Sequence, residues 1–118
     1  MMETNNLENQ ISYLASYFNL TIEQLRAKCR KREIVVPRQM IAAQLSLQGY
    51  TKRQISLSLG YILKTGEGDH STVVHHIAAV QSQCDVDKRY RANWDLFCNH
   101  AKMYAPVDKS LEFLAERY

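Results

Sequence analysis

The stretch Asp69-His70-Ser71-Thr72-Val73-Val74-His75-His76-Ile77-Ala78-Ala79-Val80-Gln81-Ser82-Gln83-Cys84 carries the reading of this chain. Val73, Ile77, Val80 and Cys84 recur at intervals of four, three and four, which predicts an amphipathic helix opening at Asp69 or His70 with one inward stripe. At about 100° per residue, Ser71, His75, Ala78 and Ser82 point away from that stripe. An outer face that only met water would carry Glu, Lys and Arg. This one is small and polar, so the helix can approach a ligand closely.

Working outward, Tyr61 to Gly68 holds two glycines and no clean period, and reads as a loop. Before it, Thr51 with Gln54 forms a capping-box pattern that opens a short helix with Ile55 and Leu59 inward, closed by Gly60. A longer helix is predicted from Pro37 to Gln48, with proline in its first turn, Met40, Ile41, Leu45 and Leu47 apolar, and Gly49 as the stop. The β-branched run Ile34-Val35-Val36 before that proline favours extended backbone, and Lys28-Cys29-Arg30-Lys31-Arg32 is a basic connecting loop. Thr21 and Gln24 cap a second helix with Ile22, Leu25 and Cys29 as its stripe. Leu7, Ile11, Leu14 and Phe18 mark a first helix from about Asn6 to Phe18. Towards the C-terminus, Tyr90, Trp94, Phe97, Ala101 and Tyr104 make a sixth helix. Pro106 ends it, and Asp108 caps a last short helix through Leu111 and Leu114. The expected fold is all-α, a compact domain of six to seven helices containing a helix-turn-helix. One domain over 1–118 is expected, with 85–118 as an additional helical extension.

Composition agrees. With 118 residues, 46% of them apolar, four glycines and two prolines, the chain can build one helical core without disulfides or metals. No stretch approaches the roughly 20 apolar residues of a membrane span, and the N-terminus lacks the layout of a signal peptide. Cys29, Cys84 and Cys98 are odd in number and far apart, which fits reduced thiols packed as small hydrophobes in a cytoplasmic protein. Between Arg26 and Arg53 eight basic residues face the single acid Glu33, a window of +7 in a chain of formal charge +3. Positive potential is therefore concentrated on one region, and a polyanion is its natural partner.

A helix ended by glycine, a short capped helix and a helix with a small polar outer face together make a helix-turn-helix. Its last helix would be the recognition helix, entering a DNA major groove by its N-terminal residues. Asp69-His70-Ser71-Thr72-Val73-Val74-His75 resembles the signature Asp-His-(Thr/Ser)-Thr-Val-x-His of the C-terminal DNA-binding domain of the bacterial replication initiator DnaA. Pro37-Arg38-Gln39 resembles the Pro-Arg-Gln of that family, preceded at similar spacing by a basic loop, and the likeness covers about Leu7 to Cys84. The resemblance implies a minor-groove contact by Arg30, where arginine is favoured by the enhanced negative potential. It implies phosphate contacts by Arg38, Gln39, Thr72 and His75, and base-edge contacts by Asp69, His70 and Ser71. Arg32, Lys52 and Arg53 complete the expected DNA-binding set on account of their charge. The implied partner is double-stranded DNA carrying a DnaA-box-like site, with other replication or regulatory proteins as further partners.

Two departures accompany the likeness. Ser71 stands where threonine is usual and lacks its methyl group, so base preference is expected to differ. The turn between the short helix and Asp69 is about six residues longer than the family's Phe-Gly-Gly-Arg-like segment. Gly68 stands where an arginine normally precedes Asp69, and a mobile loop carrying Lys64 is expected beside the recognition helix. No Gly-x-x-x-x-Gly-Lys-(Ser/Thr) loop is present, so neither ATP binding nor stand-alone initiator activity is expected.

Other chemistries fit less well. His70 and His75 are five apart, and Cys98-x-His100 lacks a second ligand pair, so no metal or cofactor is expected. Asp69, His70 and Ser71 are adjacent on one helix and diverge, so they cannot form a catalytic relay, and no enzyme activity is expected. The competing expectation is a protein-interaction module that keeps the fold but has lost specific DNA binding, with the aromatic C-terminal helices as its contact surface.

Overall fold

The computed structural model describes residues 2–28 and 30–103, with side chains from Leu7 onward. The described residues form six helices: α1 (Met2–Ser16), α2 (Ile22–Arg26), α3 (Arg32–Leu47), α4 (Lys52–Ser58), α5 (His70–Val86) and α6 (Lys88–Met103). They contain no strand, and the chain is all-α. Tyr104 and the expected seventh helix lie outside the described residues, as does Cys29.

α3 is the helix on which the others are assembled. Met40, Ile41, Ala42, Ala43, Gln44 and Leu45 are all buried, so this stretch is enclosed nearly all the way round. It packs most extensively along α5, whose Val73 and Val80 are buried while Ile77 and Cys84 lie partly buried against the core. Leu7, Ile11 and Leu14 of α1, Leu25 of α2, Ile55 and Leu59 at α4, and Tyr90, Phe97 and Ala101 of α6 complete the core. Of the expected stripes, Phe18, Ile22, Ile77, Cys84 and Trp94 are half-buried and Leu47, at the end of α3, is 72% exposed; the other described members are buried.

Helix ends follow from local chemistry. Thr21 and Thr51 each accept the N3 backbone N–H while Gln24 and Gln54 reach back to the capping residue, two complete capping boxes. α1, α3 and α4 end alike: Asn19 (φ 59), Gly49 (φ 97) and Gly60 (φ 83) adopt the left-handed conformation. The next residue's N–H then reaches back to Ala15, Leu45 and Ser56 respectively.

Pro37 corrects the expected start of α3. It is not in the first turn; α3 begins five residues earlier, at Arg32, and takes the Ile34-Val35-Val36 run into the helix. The N–H groups of Ile34 and Val35 both donate to the Lys31 carbonyl at 2.9 Å, closing the first turn. Pro37 forgoes one bond, to the Glu33 carbonyl, and Glu33 is exposed, so water can solvate that oxygen. Burial of Pro37 and Arg38, with Val36 packed on the core, outweighs the modest local preference for extended backbone. α2 is correspondingly short, ending at Arg26.

α6 braces the opposite side. The His100 ring stacks on Tyr13 with centroids 4.3 Å apart, and the Tyr13 hydroxyl donates to the His100 carbonyl at 3.0 Å. Phe97 sits among Tyr17, Phe18 and Trp94. Of the aromatic residues of α6, Tyr90 and Phe97 are buried and Trp94 is half-buried.

Candidate nucleic-acid interface

α4 and α5 are packed against each other and joined by residues 59–69, the helix-turn-helix expected from the sequence. Asp69 is the N-cap of α5. Its carboxylate accepts the Thr72 backbone N–H at 3.3 Å and the Thr72 hydroxyl at 2.8 Å. Those bonds, the hydroxyl's foremost, hold its pKa below the ordinary carboxylate value. His70, Ser71 and His75 are exposed, as are Ala78 and Ser82 further along the same face, and Thr72 is half-buried.

The turn before Asp69 is not an irregular loop. Ile62 and Gly68 form an antiparallel bridge, and the Asp69 N–H donates to the Tyr61 carbonyl at 2.7 Å. Inside that frame the Leu63 N–H donates to the Glu67 carbonyl at 2.7 Å and the Gly66 N–H to the Leu63 carbonyl at 2.9 Å. The result is a small hairpin. Its base is tied to both helices: the Tyr61 N–H donates to the Ser56 carbonyl at 2.8 Å, and the Tyr61 hydroxyl lies 2.9 Å from His76 Nε2. Burial pushes the Tyr61 phenol up. Burial, then the charges of Arg38 and His75, hold His76 down to about 4, so it is neutral.

Gly68 is required where the resemblance would place arginine. A Cβ there would run into the Ser56 hydroxyl and lie 3.1 Å from Ser56 Cβ and 3.4 Å from the Arg53 carbonyl oxygen. Ser56 is fully buried and donates to that same carbonyl at 3.0 Å, so turning its hydroxyl aside costs that bond. This close approach also sets the backbone of Arg53, in the first turn of α4, beside the chain entering α5.

The basic window divides into two groups. Arg26 donates from Nε to the Ser58 carbonyl at 2.7 Å and pairs with Glu8 at 3.2 Å. Arg38, 9% exposed, donates from Nε to the Leu25 carbonyl at 2.8 Å and from Nη2 to the Ala27 carbonyl at 2.7 Å. Both arginines hold the end of α2, and Arg26 ties it to the end of α4. The second group, Lys28, Arg30, Lys31, Arg32, Lys52 and Arg53, is exposed, and Gln39 is half-buried. The segment carrying Arg30 thus starts beside the turn that leads into α5.

Sequence reasoning missed the Tyr61–His76 pair and the internal roles of Arg26 and Arg38. No spacing rule links positions 61 and 76. A buried and an exposed arginine look the same until α2 is seen to end against α3.

A family model described as the bacterial DnaA protein helix-turn-helix matches residues 8–80. The chain is 34% identical over 88 residues to the chromosomal replication initiator protein DnaA of Bacteroides fragilis, which covers 74% of this chain and 17% of that protein. The protein of the same name from Flavobacterium psychrophilum is 33% identical over 78 residues, 66% of this chain and 15% of that one. That from Thermomicrobium roseum is 32% identical over 92 residues, 77% and 18%. The chain spans about a sixth of the length of the curated relatives it matches.

Proposed function

The chain belongs to the bacterial DnaA helix-turn-helix family, and from that premise we propose that it binds double-stranded DNA sequence-specifically, at a site related to the DnaA box, in the regulation of replication initiation or transcription. The observation that carries this reading is the N-terminal turn of α5. His70 and Ser71 stand exposed behind a fixed cap, next to the first turn of α4 with its exposed Lys52 and Arg53.

α5 enters the major groove, and His70 and Ser71 meet base edges, with Asp69 beside them. Thr72 and His75 face phosphates. Lys52 and Arg53, at the N-terminus of α4, add charge where the helix dipole also favours an anion. Arg30 reaches into the adjacent minor groove from the 27–31 segment, with Arg32 behind it. Gln39 contacts phosphate. Arg38, whose guanidinium is engaged with two carbonyls, contributes by holding that segment in place.

The competing reading had the aromatic C-terminal helices as a protein-contact surface; of those residues Tyr90 and Phe97 are buried and Trp94 is half-buried, while Tyr104 and the last expected helix lie outside the described residues. The test is fluorescence anisotropy with a DnaA-box duplex and a scrambled duplex across a salt series. Tighter binding to the box, with affinity falling steeply as salt rises, is the expected result. Equal binding to both duplexes refutes base reading, and no binding to either refutes the proposal.

A further inference from the structure

We infer that the hairpin 61–68 is a second DNA-docking element, whose tip, led by Lys64, rests on the phosphate backbone at the edge of the groove that α5 enters. The inference rests on the DNA-binding reading above and adds to it a contact that the six-residue-shorter turn of the resembled family has no length to make.

Position argues first. The hairpin closes at Tyr61 and Asp69, and Asp69 is the cap of α5, so whatever receives the first turn of α5 lies immediately beside the hairpin base. Residues 62 to 67 are all exposed, so the hairpin projects from the body and does not fold back on it. From Tyr61 to Lys64 is three residues, about 10 Å of extended backbone at roughly 3.3 Å each. A major groove is about 12 Å wide and 8.5 Å deep. A projection of that reach, rooted in the protein body beside the α5 cap, is long enough to meet the phosphates that border such a groove.

Order argues second. Two backbone bonds within the hairpin, the Asp69–Tyr61 closure and the Tyr61–His76 contact fix it to the helix it precedes. The tip moves with α5, and its ordering cost is met on folding, before DNA arrives. Chemistry argues third. Lys64 supplies the cation and the Thr65 hydroxyl a neutral donor beside it, while exposed Ile62 and Leu63 lie against sugar. Glu67 is the opposing charge, one residue from the base and away from the tip.

The test compares the wild-type chain with Lys64→Ala, Glu67→Gln and a shortened hairpin in which Lys64–Gly66 is replaced by Asn-Gly, a two-residue turn that keeps Leu63 opposite Glu67 and Ile62 opposite Gly68. Box duplexes with and without flanking base pairs are titrated across salt, and protected phosphates are mapped by ethylation interference. Lys64→Ala is expected to weaken binding roughly three- to tenfold, to lower the salt slope by about 1, and to lose protection at the groove edge on one side only. Glu67→Gln binds more tightly. Trimming the flank on that side weakens wild type but not the shortened variant.

Specific binding by wild type, with slope, footprint and flank dependence unchanged in Lys64→Ala and the shortened hairpin, overturns the hairpin contact and leaves DNA binding standing. So does tighter binding by the shortened variant, which would make the hairpin an obstruction. Failure of wild type to prefer the box overturns the underlying reading as well.

Discussion

Replacing Arg38 by methionine separates a structural arginine from a phosphate-binding one. Methionine keeps the apolar stem and removes the guanidinium, leaving the Leu25 and Ala27 carbonyls without the partners now at 2.8 and 2.7 Å. Hydrogen bonds to a charged donor contribute about 1.5–3 kcal/mol each. Ala27 is exposed, so its carbonyl recovers a bond to water, whereas Leu25 is fully buried. One full contribution and part of a second amount to about 2–4 kcal/mol, a large share of the roughly 5–15 kcal/mol that holds a domain together. Urea unfolding followed by circular dichroism should show the midpoint falling by about 1–3 M. Arg38→Lys, with a point charge in place of a fork, should lose about half as much. His76 gives an independent readout: without the Arg38 charge its titration, followed by NMR, moves up towards the usual histidine range, with burial still holding it below. A midpoint within about 0.3 M of wild type, together with weakened DNA binding, would refute the structural role and return Arg38 to the phosphate backbone.

Arg30→Ala is expected to weaken binding to a box duplex and reduce its preference for A·T-rich flanks, whereas His70→Ala should cost specific binding about 1–3 kcal/mol and spare scrambled DNA; competition anisotropy checks both. Gly68→Ala should destabilise by about 1–3 kcal/mol through overpacking on Ser56, and the double variant with Ser56→Gly should recover most of it; thermal melts decide, and an unaltered Tm for the single variant would contradict the close approach. Neutral His76, at about 4 when folded against 6.5 ordinarily, takes up a proton on unfolding. Stability is therefore full above pH 6.5 and falls as pH drops from 6.5 towards 4, by about 1–2 kcal/mol once solvent screening of a part-buried group is allowed for. His76→Gln should flatten that window in urea titrations at pH 7 and 5.

What the sequence made legible was what depends on near neighbours. The capping boxes at Thr21 and Thr51, the glycine stops at 49 and 60, and the stripes Leu7-Ile11-Leu14 and Val73-Ile77-Val80-Cys84 rest on residues within one or two turns of each other. The start of α3 failed because the local signal was real and was outweighed. Val36 before Pro37 does prefer extended backbone, but α3 begins at Arg32 and buries Pro37 and Arg38, with Arg38 bonded to the end of α2. The stretch Tyr61 to Gly68 is legible as a loop but its internal order is not: it comes from bonds across the hairpin and a tyrosine held by a histidine fifteen residues on.

The same distinction bears on the site. Charge counting placed eight cations in one window, yet the Arg26 and Arg38 guanidinium groups are engaged with the fold, so the cations offered for direct contact with a polyanion are the other six. Asp69 is divided too. Both its oxygens already accept from Thr72, and those bonds keep the first turn of α5 wound. The cap takes up about half of the carboxylate's acceptor capacity, leaving Asp69 less to offer a base amino group, whereas His70 and Ser71 are presented outward by the same cap. On the DNA-binding reading, discrimination therefore falls mainly on His70 and Ser71. On that same reading, base preference is expected to change at Ser71, which departs from the family's usual threonine, while Asp69 fixes the first turn of α5 from which both side chains are presented.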